Sequence, residues 1–293
     1  MYYILVNGTH LKGKQLKKFD DTLAVFEKAG KEYKIYKTFR RGDAKKFTEE
    51  ITSSGHCGTV IAMGGDGTLH DVINGFKDFE NFDLGLIPFG TGNDFAEGAG
   101  IPLNHIEAAE TIIYGRTRNI DFIELSSGLR SINSVGMGID VDVLKRTYSS
   151  GEKGKGKYLK ALIVSLANFK SCNFTVKYDG KEEKHFGLIA AVGNGKYFGG
   201  GIKIFPDAKI DDGLLDVIIV DFISKARIPA AFAKLMAGRV DKIKNVTFVK
   251  TKEVTFVHEA ENFTIQAEGE LYDNVPLEAH IVEGKLRLYL DRI

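Results

Sequence analysis

Gly64-Gly65-Asp66-Gly67-Thr68 is the stretch that decides the reading of this chain. It follows the apolar run Thr59-Val60-Ile61-Ala62-Met63 and precedes Leu69, Val72, Ile73 and Phe76 at helical spacing. A short Val/Ile-rich run bounded by glycines reads as a buried parallel strand, so the unit is strand, glycine-rich loop, helix. Backbone N–H groups and a helix N-terminus converge at such a junction, and phosphate suits that point. Glycines let a phosphate approach the backbone closely. A sharp strand-to-helix turn with no ligand is the plainer alternative.

The pattern recurs one strand later. Leu84-Gly85-Leu86-Ile87-Pro88 is a second apolar strand, and Phe89-Gly90-Thr91-Gly92-Asn93-Asp94-Phe95-Ala96 follows as a second glycine loop. In an open α/β sheet ligands bind outside the carboxyl ends of the strands. Two loops on consecutive strands place Asp66 and Asp94 at one edge, and the pair argues for a ligand more strongly than either alone.

Working outward, Tyr3 to Val6 is a first buried strand ending at Asn7-Gly8. Leu16, Phe19, Leu23 and Phe26 predict an amphipathic helix closed by Gly30. Between them, Gly8 to Lys14 fits the front of a P-loop, but Gln15 stands where the motif needs Ser or Thr. A looser nucleotide-contacting turn at Asn7, Gly8 and Thr9, with Lys12 or Lys14 near phosphate, competes with solvated lysines. A strand over 32–38, a helix through Ile51 and a helix over 106–114 complete a βα pattern, which predicts a mostly parallel sheet covered on both faces. From about residue 122 short strands follow one another, interrupted by one helix over 157–169. The expected architecture is therefore a doubly wound α/β domain over 1–122 and an antiparallel, sandwich-like β-rich domain over 123–293, with the last strand free to return to the first domain.

Bulk properties fit. The chain has 293 residues, is 43% hydrophobic and carries a net charge of +1, so no global field argues for nucleic acid. No apolar run reaches the roughly 18–20 residues of a membrane span. Cys57 and Cys172 lack any metal-ligand spacing and read as buried thiols of a cytoplasmic protein. Two further stretches carry carboxylates. Asp211-Asp212-Gly213 is an ordinary turn, or, with carbonyls at Lys209 and Leu214, a magnesium corner. Glu268-Gly269-Glu270 is a hairpin turn with solvated glutamates, or the seat of a general base.

The paired glycine loops resemble the catalytic domain of the diacylglycerol kinase and sphingosine kinase superfamily, in its soluble bacterial branch. Gly193-Asn194-Gly195, Gly199-Gly200-Gly201, Pro206-Asp207-Ala208 and Asp211 to Val217 resemble the second block of that family, and Ala267-Glu268-Gly269-Glu270 its Asp-Gly-Glu motif, with Glu268 for the Asp. The blocks lie in family order over essentially the whole chain.

The resemblance implies a two-domain kinase with the active site in the interdomain cleft. ATP would be contacted at Asn7, Gly8, Thr9, Thr38, Gly64, Gly65, Asp66, Gly67, Thr68, Thr91 and Asn93. Asp66, Asp94 and Asp121 would form an acidic network ordering catalytic Mg2+ and water. Lys209, Asp212 and Leu214 would hold a structural Mg2+, and Glu270 would be the general base. The acceptor implied is the hydroxyl of diacylglycerol or a related lipid, met at the membrane surface by a cytoplasmic, peripherally associated enzyme. Leu159, Leu162, Ile163, Leu166 and Phe169 form an apolar stripe that is either core or lipid groove. The competing readings are an NAD kinase-like enzyme and a nucleotide or lipid carrier without catalysis. An exposed sheet edge would support a homodimer.

Overall fold

The computed structural model describes residues 1–149, 156–260 and 262–291. Its compact units are Met1–Ile120 with Gly284–Ile293, and Asp121–Glu283.

The first unit alternates strand and helix. In chain order it contains β1 (Tyr2–Asn7), a single 3-10 turn over Gly8–His10, α1 (Lys14–Lys28), β2 (Tyr33–Thr38), α2 (Asp43–Thr52), β3 (Gly58–Gly64), α3 (Asp66–Gly75), β4 (Phe82–Pro88), α4 (Asp94–Ala99) and α5 (His105–Tyr114). The strands lie in the order β2-β1-β3-β4, all parallel, with Ile4 opposite Ile35 on one side and Ile61 on the other. Strand β1 sits between two others and is continuously apolar because it is covered on both faces. Since the connections cross over with one hand, reversing direction at β1 sends α1 to one face and α2 and α3 to the other. Phe19 and Phe26 of α1 pack with Ala108, Ala109 and Ile112 of α5 against Ile4, Val6 and Ile61. Phe26 is wholly buried, which stabilises the unit by about 2–3 kcal/mol. On the other face α2 and α3 approach so closely that a Cβ on Gly75 would collide with the Lys45 carbonyl.

β5 (Arg116–Leu125) leads into the second unit. There follow β6 (Arg130–Ser131), β7 (Ser134–Gly138), α6 (Ile139–Ser149), α7 (Gly156–Asn168), β8 (Cys172–Tyr178), β9 (Lys181–Gly193), a small hairpin of β10 (Tyr197–Phe198) and β11 (Ile202–Lys203), β12 (Leu215–Asp221), α8 (Ile228–Met236), β13 (Val246–Thr251), β14 (Glu253–His258), β15 (Thr264–Ala267), β16 (Glu270–Asp273) and β17 (Leu277–Asp291). Strand β9 is the organiser. Its first half pairs with β8, and its second half lies between β7 and β12, all antiparallel. Alternate residues of β7, β8, β9, β12, β14, β15 and β17 meet in one core, including Val135, Val176, Val192, Val217, Phe256, Ile265 and Leu277. Strand β17 pairs through Leu277–His280 with β14 of the second unit, and through Leu288 with β4 of the first.

The fold class read from the sequence is the one observed, with local corrections. Ile139-Asp140-Val141-Asp142-Val143 alternates with period two, and this masks the helix α6. The nine residues of α8 include none that is buried, so no stripe announces them. Residues 130–136 are two strands broken at Ile132-Asn133, and β17 runs unbroken through Gly284, where φ is +55°. The apolar stripe of α7 and the residue after it divides: Leu166 and Phe169 pack on the core, while Leu159 and Ile163 are exposed. The expectation of two buried thiols fails, since Cys57 is exposed and Cys172 half-buried.

Candidate active site

In the first unit the two glycine loops touch backbone to backbone. A Cβ on Gly90 would lie 2.5 Å from the Gly65 Cα, and one on Gly65 would lie 3.0 Å from the Gly90 Cα. The Phe89 N–H donates to the Gly64 carbonyl at 2.8 Å, and a Cβ on Gly64 would collide with the Thr68 side chain. Asp66 ties the loops together. Its Oδ2 accepts from the Asp94 N–H and its Oδ1 from the Phe95 N–H, both at 3.2 Å, so one carboxylate caps the N-terminus of α4. Asn93, at φ +58°, accepts from the Gly90 N–H and donates to the Gly90 carbonyl, which closes the second loop around Thr91 and Gly92. Gly67 and Thr68 form the first turn of α3, and Asp94 is buried.

The neighbouring turns lie at the ends of β1 and β2. Asn7 Oδ1 accepts from both the backbone N–H and the hydroxyl of Thr9, capping the 3-10 turn that begins at Gly8. The Phe39 ring covers Gly8 closely enough that a Cβ there would lie 2.7 Å from it. The Thr38 hydroxyl is buried and donates to the Val6 carbonyl at 3.4 Å. One turn into α3, Asp71 accepts from the Gly42 N–H, and burial raises its carboxyl above the usual range. Beside it His70 is buried, and desolvation with the Arg41 and Lys45 charges lowers its imidazole to about 4.

In the second unit Asp121 is buried, and its Oδ2 accepts from the Gly213 N–H at 2.8 Å. Its backbone carbonyl accepts from the Asn194 amide, so Asp121 joins the Asp211-Asp212-Gly213 turn to the glycine-rich end of β9. Asp212 accepts from the Lys250 ammonium at 2.9 Å, and Asp216 from the same ammonium at 3.1 Å. Burial outweighs that partner and raises the Asp216 carboxyl. Lys209 is exposed on the same turn.

The Glu268-Gly269 pair closes the β15–β16 hairpin with positive φ at both positions, the two-residue type I′ pattern. Glu270 is the first residue of β16 and half-buried. The two carboxylates astride Gly269 differ. Glu268 is buried, and its Oε1 accepts from the Ser131 hydroxyl at 2.5 Å and from the Asn133 N–H at 2.6 Å. Ser131, Asn133, Asn194, Gln266 and Asp140 complete a buried polar cluster that the sequence reading left out. Its signal was a polar residue inside an apolar run, as in Ile132-Asn133-Ser134-Val135 and Ile265-Gln266-Ala267.

Comparison with known proteins shows the family and the fold. Residues 1–125 match the diacylglycerol kinase catalytic domain, and residues 133–290 match the YegS C-terminal NAD kinase beta sandwich-like domain. A diacylglycerol kinase of Staphylococcus aureus is 30% identical over 95% of this chain and 90% of its own length. The chain belongs to the diacylglycerol kinase family. A crystal structure of a diacylglycerol kinase from Bacillus anthracis shares the fold, with a TM-score of 0.74 at 24% identity over 99% of this chain and 96% of that one. An NAD kinase from Archaeoglobus fulgidus, in complex with ATP, shares it more distantly, with a TM-score of 0.53 at 12% identity over 99% and 94%.

Membership of this family implies ATP as phosphoryl donor. Among the described residues no helix is long and apolar enough to cross a membrane. For magnesium, the Asp212 carboxylate with the carbonyls of Lys209 and Leu214 is a hard-oxygen set of the kind that ion takes with waters. The donors fit in kind, and the Lys250 ammonium on Asp212 is a built-in competitor for them. No group of three or more His, Cys, Asp or Glu suited to a metal occurs among the described residues.

Proposed function

We propose that this protein transfers the γ-phosphoryl group of ATP to the hydroxyl of diacylglycerol or a related lipid. The observation that carries the reading is the joined pair of glycine loops, held by the Asp66 carboxylate on the Asp94 and Phe95 N–H groups. Two positions where any Cβ would meet the opposite backbone leave an edge of main-chain donors that can lie against phosphate oxygens. Thr68, Thr91 and Asn93 frame that edge, and Asn7, Gly8, Thr9 and Thr38 line the adjoining strand ends for the nucleoside.

Phosphoryl transfer asks a protein for positioning and charge stabilisation rather than covalent chemistry. Gly64, Gly65 and Gly67 position the phosphates, while Asp66 and Asp94 keep the two loops in register. Glu270 takes the proton from the acceptor hydroxyl. Asp121 holds the Gly213 turn, so Asp212, Lys209 and Leu214 stay together as the magnesium corner. Magnesium, when bound, supplies neutralisation of charge on oxygen. The activity is checked by ATP consumption with diacylglycerol in mixed micelles. Lipid-stimulated turnover that falls by about 10²–10⁴ in Glu270→Ala, with ATP affinity kept, is the expected result. Turnover with NAD and none with lipid, or ATP binding without transfer, would overturn it.

The lipid is met at a membrane surface by a protein that binds there peripherally. Support comes from α8, where Pro229, Ala230, Ala233 and Met236 face outward beside the stacked, half-exposed rings of Phe186 and Phe222. Arg227, Lys234 and Lys244 border this apolar face. Anionic headgroups complement those cations, whereas a second copy laid on the same face would oppose like charges.

A further inference from the structure

Helix α6 grips the turn that carries Glu270, although no residue of α6 belongs to the motifs above. The Tyr148 hydroxyl donates to the Gly269 carbonyl, and the Leu144 side chain lies 4.0 Å from where a Gly269 Cβ would stand. The third contact is indirect. The Gly269 N–H donates to Gln266 Oε1 at 3.1 Å, and the other end of that amide faces Asp140.

Asp140 and Gln266 are both buried, at 4% and 0% exposure. Asp140 Oδ1 accepts from the Val141 N–H at 2.9 Å. Its Oδ2 and Gln266 Nε2, one an acceptor and the other a donor, have no partner within hydrogen-bond distance among the described residues. A buried acceptor and a buried donor border the same small space and neither reaches water, so each is the group placed to take up the other. Gly136 keeps the space between them clear: a Cβ there would collide with Asp140 Oδ2 and lie 3.3 Å from Gln266 Nε2.

We propose that Asp140 is a positioning residue for the proton-accepting turn: its carboxylate fixes the orientation of the Gln266 amide, whose Oε1 then holds the Gly269 N–H and sets the direction in which Glu270 leaves the hairpin. An amide can flip its two ends, and only one orientation presents oxygen to Gly269. A carboxylate on the far end selects that orientation. A displacement of about 1 Å at a reacting group can cost about 10²-fold in rate, so a buried selector behind the base has leverage on turnover.

The inference rests on Glu270 acting as the base, and its test separates the two ideas. Hydrogen exchange at the Gly269 amide is followed in the full chain for Asp140→Ala, Asp140→Asn and Gln266→Met, beside kcat and KM with ATP and diacylglycerol. In Asp140→Ala the Gly269 amide exchanges at least 10-fold faster while the amides of β9 keep their protection, and kcat falls 10- to 100-fold with KM for ATP unchanged. Asp140→Asn, whose single amide oxygen cannot accept from both the Val141 N–H and the Gln266 amide, shows the same local exchange and the same fall in kcat. If Asp140→Ala does not fold, Gln266→Met shows the same local exchange.

Unchanged exchange at Gly269 would overturn the proposal, and so would acceleration spread evenly through the second unit. An enzyme with no lipid turnover in any form would sink the reading of Glu270, while exchange alone would still decide whether Asp140 orders the turn.

Discussion

The Glu268 carboxylate accepts the backbone N–H of Asn133 at 2.6 Å, a hydrogen bond spanning 135 positions of sequence. With the Ser131 hydroxyl on the same oxygen, it pins the break between β6 and β7 to the hairpin that bears Glu270. Glu at the first position of a type I′ turn is poor turn chemistry, since Asn, Asp and Gly favour positive φ. The tertiary hydrogen bonds offset that cost. Glu268→Ala is therefore expected to lower stability by about 2–4 kcal/mol, because it leaves the Asn133 N–H buried without its acceptor. Urea unfolding monitored by circular dichroism checks this. A loss below 0.5 kcal/mol, the usual range for surface changes, would contradict it.

Gly90→Ala tests the contact between the loops. The new methyl would press on the Gly65 Cα, a backbone atom with little room to yield. Expected are a loss of about 1–3 kcal/mol in stability and at least a 10-fold weakening of ATP binding by titration calorimetry. Gly100→Ala is the control for strain without contact: φ there is +76° and nothing lies near its Cβ, so it should lose stability and keep ATP affinity.

Acid sensitivity should follow His70. Its folded-state value near 4 lies below the ordinary 6.5, so between those values the unfolded chain takes up a proton that the folded one refuses. Stability contributed by the neutral ring is full above pH 6.5 and is lost progressively as pH falls toward 4, by up to about 3 kcal/mol. Asp140 has the opposite sign. Burial raises it from 3.8 to about 7, so its effect lowers stability as pH rises through that interval. The melting temperature of His70→Asn should decline less than that of the wild type between pH 6.5 and 4. An unchanged acid slope would show that the ring is not held neutral.

Both glycine loops were legible because a strand-to-helix turn is a local demand: the residues that make it adjoin in sequence, at the ends of strands whose apolar runs are continuous. The βα order then followed from periodicity. What escaped depends on distant partners. Asp140 sits in a run that alternates like a strand, and it becomes buried only because Gly136 and Gln266 flank it in the fold. Glu268 looked like a solvated turn residue, since nothing near it in sequence reveals Ser131 and Asn133. Lys250 lies far along the chain from Asp212, and their pairing follows from the β12–β13 register that sets Asp216 opposite Lys250.

That pairing gives a fourth test. If magnesium competes with the ammonium for Asp212, Lys250→Met should make stability more responsive to the ion. The variant is expected to gain more in melting temperature on addition of magnesium than the wild type. The background response of Asp212→Asn, in contrast, should be flat. Equal gains in wild type and Lys250→Met would show that the ammonium does not contest the site.

Strand β17 changes how the protein can be made. Residues Gly284–Ile293 belong to the same unit as Met1–Ile120, and Leu288 pairs with Leu84 across some two hundred intervening positions. On a ribosome the glycine loops therefore emerge early, yet the sheet that supports them lacks a strand until all of Asp121–Glu283 has been synthesised. Asp121–Glu283 is contiguous and can complete its own sheet first. A nascent chain thus acquires its second unit before its first is whole, and premature termination near residue 283 would leave a β-rich body attached to an unfinished parallel sheet with an open edge.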